Sequence, residues 1–356
     1  MGWTKRQRIE AVFNGEQPDR VPIYDILFND NAIEYYSGKK LTQENGYETV
    51  CEAVSACLDM TRDIFGPFLK GIRTDDRGYT RKYERWMTWI IGYPFADHDG
   101  MIRFIKDEID RLKTWEPDSS YIDEFTQRTA YTQELIKETV NISVCPNMSV
   151  NKAIGEFGLE ELCLLIYDEP ELLDTWLKVS AIADLRRVDK LADYKKSPVC
   201  LIYADVAQKG GLIFSLEFLQ KYLIPEVSDV CDLLHSKGIK VIFHSDGDIT
   251  RLLPDLVKAG VDGLNPLEIA AGVDIRAIKE QYGRKFIICG GMDITKLMTF
   301  GTKDEVVQAT KDLIKLAGSD YGLCLGSTTE LGWDIPLENV RAMIETTWEY
   351  GKYPLK

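Results

Sequence analysis

Lys240-Val241-Ile242-Phe243-His244-Ser245-Asp246-Gly247-Asp248 reads as a short strand that runs into a polar turn. Apolar residues then recur at helical spacing over roughly 249–259. The same unit repeats on both sides. Val199-Cys200-Leu201-Ile202-Tyr203 precedes it, and Val261-Asp262-Gly263-Leu264, Phe286-Ile287-Ile288-Cys289 and Tyr321-Gly322-Leu323-Cys324-Leu325 follow it. Helix-periodic stretches near 215–237, 274–282, 303–317 and 337–350 alternate with these runs. A strand returns parallel to its neighbour only through a crossover, so the alternation predicts a parallel sheet. The N-terminal half adds candidate strands at Val21-Pro22-Ile23-Tyr24, near Asp63-Ile64-Phe65, and at Ile142-Ser143-Val144-Cys145. Five and three give the eight staves of an α/β fold, a closed (β/α)8 TIM barrel. An open doubly wound sheet is the structural alternative. A helical extension is expected before the first strand. Tyr79 to Tyr93, with alternating Tyr, Trp and Ile, reads as an inserted hairpin.

The chain has 356 residues, with 43 basic against 57 acidic side chains and a net charge of −14. No linker or low-complexity stretch divides it, so one domain over residues 1–356 is expected. The negative balance disfavours a grip on nucleic-acid phosphates or on anionic lipid. No apolar run approaches the ~18 residues that span a bilayer, and the N-terminus lacks an apolar signal core. A cytoplasmic protein is expected. Eight cysteines without a CxxC pair read as reduced thiols. Histidine is scarce, at His98, His235 and His244.

In a barrel the chemistry sits at the C-terminal ends of the strands. Polar residues just beyond each apolar run are therefore the candidates: Asp205, His244 with Asp246, Asn265 with Glu268, Asp293, and the stretch from Cys324 to Glu330. His244 and Asp246 can aim an imidazole and a carboxylate into the mouth if Gly247 opens the turn, a usual start to a zinc site. The same residues admit a structural reading, with the histidine held by a backbone carbonyl and Asp246 capping the helix near Ile249. Glu268 is placed to enter as a third ligand or to remain a surface acid. Cys324 is a thiolate candidate or a packed hydrophobe. Asp205 can orient His244 or cap a turn, and Glu330 is an alternative ligand or acid. Gly290-Gly291-Met292-Asp293 lacks the spacing of a nucleotide cradle. His235 closes a helix, and His98 lies in a polar turn that could enter a lid.

The order of short motifs along the chain resembles the uroporphyrinogen decarboxylase superfamily. Arg20-Val21-Pro22-Ile23, Tyr203-Ala204-Asp205, Phe214-Ser215-Leu216-Glu217-Phe218 and Pro225 carry the resemblance first. His244-Ser245-Asp246-Gly247, Gly290-Gly291-Met292-Asp293, Phe300-Gly301-Thr302-Lys303-Asp304-Glu305-Val306 and Pro336-Leu337-Glu338-Asn339-Val340 complete it. The family fold is a (β/α)8 barrel. The decarboxylases proper carry arginines soon after the first strand, where this chain reads Tyr24-Asp25-Ile26-Leu27-Phe28-Asn29-Asp30-Asn31 with no basic residue. A polyanionic tetrapyrrole would meet an acidic mouth, and that activity is rejected.

The other branch of the superfamily comprises zinc methyltransferases that exchange methyl groups with a corrinoid protein. The resemblance implies zinc on His244, Asp246, Glu268 and Cys324, with Asp246 where thiol-directed members have a cysteine. Carboxylate in place of thiolate leaves a harder metal, suited to an oxygen ligand. The expected reaction moves a methyl group from an O-methyl donor, an aryl methyl ether, to the cob(I)amide (cobalamin-type corrinoid) of a separate corrinoid-binding protein. Asp205 and Glu330 are the expected catalytic groups, and Tyr203 and Asn265 the expected substrate contacts. The carrier would be a transient partner beside the small-molecule donor, and a homodimer is compatible with the reading. A methylcobamide:thiol methyltransferase and a metal-free decarboxylase-like lyase stand as alternatives, as does a binding protein that has lost its chemistry.

Overall fold

The computed structural model describes residues 2–355; Met1 and Lys356, the ends of the expected 1–356 unit, lie outside the described residues. Helix Lys5–Asn14 opens the chain. Thr4 caps it reciprocally, taking the Gln7 N–H on its hydroxyl while its own N–H donates to Gln7 Oε1. The helix turns Ile9, Val12 and Phe13 inward against Tyr24, Met60, Val140, Ile142, Val199, Leu201, Ile242, Ile287, Cys289 and Cys324. These are alternate residues of successive strands, as period-two side-chain alternation requires. The expected helical extension is thus a plug in the N-terminal end of the barrel.

Five parallel strands form the regular arc: Val199–Tyr203, Lys240–His244, Gly263–Asn265, Ile287–Met292 and Leu323–Ser327, each paired with the next. The N-terminal half closes the ring with shorter staves. Ile23 bridges Leu325, Tyr24 bridges Met60, Met60–Thr61 pairs with Val140–Asn141, and Asn147 bridges Tyr203. Gly326 is needed at the closure, because a Cβ there would lie 1.8 Å from the Tyr24 carbonyl oxygen. The (β/α)8 barrel therefore holds, and the open sheet does not.

The C-terminal helices fall where their apolar period put them: Leu216–Ser236, Ile275–Tyr282, Lys303–Ala317 and Leu337–Tyr350. Four expectations need correction. The second strand is Met60–Thr61 rather than the residues near Asp63, where φ of 51° at Asp63 ends extended pairing. The third is Val140–Asn141, ahead of Ile142. The inserted hairpin is a three-stranded antiparallel sheet, Gly71–Thr74, Thr80–Tyr83 and Thr88–Gly92. His98 begins the helix His98–Thr114, capped by Asp97, rather than sitting in a turn. Among the described residues no helix is long and apolar enough to cross a membrane.

Candidate metal centre

Tyr203, His244 and Asn265 stand in register on three adjacent strands, each the last strand residue before its turn. All three lie on the inward parity, so the register alone brings an imidazole between a phenol and an amide. His244 is buried. Its Nδ1 lies 2.6 Å from Asn265 Oδ1, and Asn265 Nδ2 donates to the Cys289 carbonyl at 2.8 Å. That second bond fixes which end of the amide faces the ring. Nδ1 must then carry the proton and donate, leaving the Nε2 lone pair directed at the mouth. Burial, and after it the Arg62 charge, push the His244 pKa down to about 4, so the ring is neutral at pH 7.

Asp205 and Asp246 complete a group of three with His244, their ligand atoms all within 4.8 Å of one another. His244 Nε2 is 3.4 Å from Asp205 Oδ1, which also accepts the Asp246 N–H at 3.1 Å. Asp246 does not cap the following helical turn. Asp248 does so, accepting the Thr250 N–H at 2.9 Å, and this leaves the Asp246 carboxylate to the mouth. Burial first, then the charges of Asp205, Glu268 and Glu330, push the Asp246 carboxyl up to about 7. Gly247 makes the turn with φ of +82°, and a Cβ on it would meet Gln208 N at 2.3 Å. No other residue type fits there.

Two expected ligands lie outside this group. Glu268 accepts the Gly247 N–H at 2.9 Å and so braces the turn that presents Asp246. Cys324 faces the barrel interior among the residues packed on the N-terminal plug, its thiol against that of Cys289. Burial and the Cys289 thiol raise its pKa. Barrel strands tilt by about 36° to the axis, so residues in register are not level along it. Cys324 is in register with Cys289, three strands from His244, and the tilt carries it below the mouth. Asn265, expected at the substrate, is buried with both ends of its amide engaged. Glu330 is half-buried, and burial raises its pKa against the opposing charge of Arg62.

Arg62 is the residue that sequence reasoning missed. It is buried one position past Met60–Thr61. Its guanidinium contacts the Tyr203 hydroxyl, donates to Tyr24 Oη at 2.7 Å and Asp63 Oδ2 at 2.5 Å, and comes within 3.5 Å of His244 Nδ1. Burial opposes its charge, but Tyr24, Tyr203 and Asp63 outweigh that and keep it a cation. The mouth is thus not without a basic residue. The rule that weighs residues just after each strand would have found Arg62 had the strand been placed three residues earlier. The Tyr203 ring meets the His244 ring edge-on at 5.3 Å, and its hydroxyl also hydrogen-bonds Asp63. Beyond Tyr203 opens a cavity of ≈600 Å³ lined by Tyr47, Phe65, Tyr121, Phe125 and Cys145 among others.

An imidazole lone pair and two converging carboxylates suit a divalent cation of borderline hardness, and a dication would neutralise the acidic excess around Asp246. The donor set therefore fits zinc.

The sequence profile of the uroporphyrinogen decarboxylase (URO-D) family matches residues 80–350. The chain is 27% identical over 149 residues to the methylated-thiol–coenzyme M methyltransferase of Methanosarcina mazei, covering 42% of this chain and 37% of that protein. It is 27% identical over 138 residues to the methylcobamide:CoM methyltransferase of Methanosarcina acetivorans, covering 38% and 37%. The matched stretch thus spans little more than a third of either relative. A solved methyltransferase from Methanosarcina mazei superposes with a TM-score of 0.68 at 16% identity, covering 98% of this chain and 99% of that one. This last likeness supports the shared fold.

Proposed function

The chain belongs to the uroporphyrinogen decarboxylase family, and from that premise we propose that it is a zinc-dependent methyltransferase. It moves a methyl group from an oxygen of a small donor, an aryl methyl ether, to the corrinoid of a separate carrier protein. Similarity to two methyltransferases, one of them acting on a methylcobamide, supports corrinoid methyl transfer. The observation that carries the choice of oxygen is the convergence of Asp205, His244 and Asp246 with no thiol in the group.

His244 Nε2 and the two carboxylates would hold the metal. Zinc bound there would act as a Lewis acid on the ether oxygen and ease its departure as a phenolate. Asn265 keeps the imidazole in the tautomer with Nε2 free. Glu330, its carboxyl pKa raised by burial, is the acid at the mouth suited to donate to the departing oxygen. Arg62 supplies a fixed positive charge beside His244 and holds the Tyr203 hydroxyl, while the aromatic cavity next to Tyr203 has the volume and lining for a substituted benzene ring. Asp205, expected as a catalytic group that orients or protonates the leaving oxygen, is on this reading a metal ligand.

A second reading, methyl transfer to a thiol, is favoured by the names of both relatives. One assay separates the two. Purified protein with and without added zinc is offered cob(I)alamin with a methoxybenzene, and methylcobalamin with a thiol. Zinc-dependent methylation of cobalamin by the ether supports the first reading; demethylation by the thiol alone replaces it. Stoichiometric zinc that survives His244→Ala overturns the metal assignment in either case.

A further inference from the structure

The inserted sheet is the part of the chain that methyl-transfer chemistry leaves unexplained. All four residues of its first strand, Gly71–Thr74, are exposed. Ile72 stands opposite Lys82, and Lys82 opposite Trp89, so the three share one face. Ile72 is 65% exposed, Trp89 44% and Ile91 52%. A small sheet with large apolar side chains in water buries little of its own, and such a patch marks an interaction site.

Charge and position give the partner's chemistry. Residues 69–93 hold six basic and three acidic side chains in a chain whose net charge is −14. The insert is also tied to the catalytic end of the barrel. Trp86 Nε1 and Arg85 Nε donate to Asp30 Oδ1 at 2.7 and 3.0 Å, and Asp30 lies just beyond the first strand. Trp333, beyond the last strand, joins Trp86, Met87 and Trp89 around a groove of ≈510 Å³ with Lys70 at its edge. Two ion pairs, Lys70–Glu84 and Arg85–Asp30, stand at its rim, and Lys82 shares Glu84 with Lys70, so an aromatic groove with an excess of cations beside it opens on the same end of the barrel as His244.

We propose that this face docks the corrinoid carrier, a protein that presents an acidic surface with an apolar centre. The proposal rests on the corrinoid reading above. Opposite charge steers the carrier to the mouth, and the aromatic groove holds an apolar anchor. A second copy of this chain is disfavoured as occupant where two like-charged inserts would meet.

The test uses the full chain and the corrinoid protein purified from the source organism by its cobamide absorbance. Its affinity is measured for the wild type, for Lys70→Glu/Lys82→Glu and for Trp89→Ser, at low and at physiological ionic strength. Unfolding temperature and zinc content confirm that each variant is folded. The expected result is at least tenfold weaker binding by each variant, and wild-type binding that weakens with salt. Equal affinities, or no complex with the wild type, overturn the proposal. So does a wild-type dimer that the variants dissociate, which would assign the face to a second copy. Methyl transfer to free cob(I)alamin, which needs no dock, is the separate readout and is expected to be unchanged. A wild type that binds the carrier yet methylates no free cobalamin would remove the functional reading while leaving the docking face in place.

Discussion

Asn265 sets the protonation of His244: one end of its amide takes the Nδ1 proton and the other is pinned to the Cys289 carbonyl. An asparagine in this role does for a ligating imidazole what a carboxylate or carbonyl does in many metal sites. Replacing it with leucine removes the acceptor and frees the ring to rotate or change tautomer. Asn265→Leu is expected to weaken zinc binding about 10–100-fold, whereas Asn265→Asp, which keeps the acceptor, retains most of it. Competition against a chromogenic chelator measures both, and equal affinities for wild type and leucine variant would remove Asn265 from the site.

The pH dependence follows from the same two groups. Asp246 titrates at about 7 and His244 at about 4 in the metal-free protein. Above pH 5 the imidazole is already neutral and has no proton to lose. Asp246 must still lose one as pH rises through 7, so zinc affinity is expected to climb as pH rises toward 7 and to level off above it, with close to one proton released per ion near pH 6 and almost none near pH 8. Calorimetry in buffers of different ionisation heat counts that proton. For the metal-free protein the raised carboxyl works the other way: its contribution to stability is complete below the ordinary carboxylate range and is lost as pH rises through about 7. Zinc should therefore raise the unfolding temperature more at pH 8 than at pH 6.

Arg62 is the second cause, after burial, of the low His244 pKa. In Arg62→Gln the His244 pKa is expected to rise but to stay below the ordinary histidine value, because burial remains. The chain has only three histidines, so imidazole proton resonances of the metal-free variant report this directly. An unmoved His244 titration would show that the guanidinium acts only on Tyr203, Tyr24 and Asp63. Methyl transfer should fall in the same variant, since the Tyr203 hydroxyl loses its donor.

Gly247→Ala puts a methyl group 2.3 Å from Gln208 N at a φ of +82°. The clash is with backbone, which cannot swing aside, so the turn must shift and carry Asp246 with it. A loss of about 1–3 kcal/mol in unfolding free energy is expected, together with much weaker zinc binding. An alanine variant with wild-type stability and zinc affinity would mean that the turn is softer than its contacts imply.

The regular arc of the barrel was legible because its strands, three to six residues long, lie in apolar runs, each followed by an amphipathic helix. His244, Asp246 and Asp205 could be found because each follows such a run. The short staves Met60–Thr61 and Val140–Asn141 carry too few residues to show a period, and the slip over the first of them hid Arg62. The role of Asp246 was left open between a cap and a ligand, since both Asp246 and Asp248 can cap and only the backbone path decides. The role of Cys324 stays open in the sequence between a thiolate ligand and a packed hydrophobe, because spacing places it in the last strand but the tilt of the staves sets its depth.

Cys324 makes the sharpest test of that depth. Its thiol lies against Cys289 beneath the mouth, with its pKa raised by burial, while the three groups that converge are Asp205, His244 and Asp246. If the side chain only packs, Cys324→Ala removes one buried sulfur from the layer above the N-terminal plug. The expected cost is about 1 kcal/mol in unfolding free energy, with zinc stoichiometry and methyl transfer close to wild type. If the thiolate were a ligand, the same variant would lose affinity for zinc by orders of magnitude, and the absorption of a cobalt-substituted protein would lose its sulfur-to-metal charge-transfer band. The cobalt spectrum of the wild type should therefore show no such band. Asp246→Cys, which places a thiol within the converging group, should introduce one.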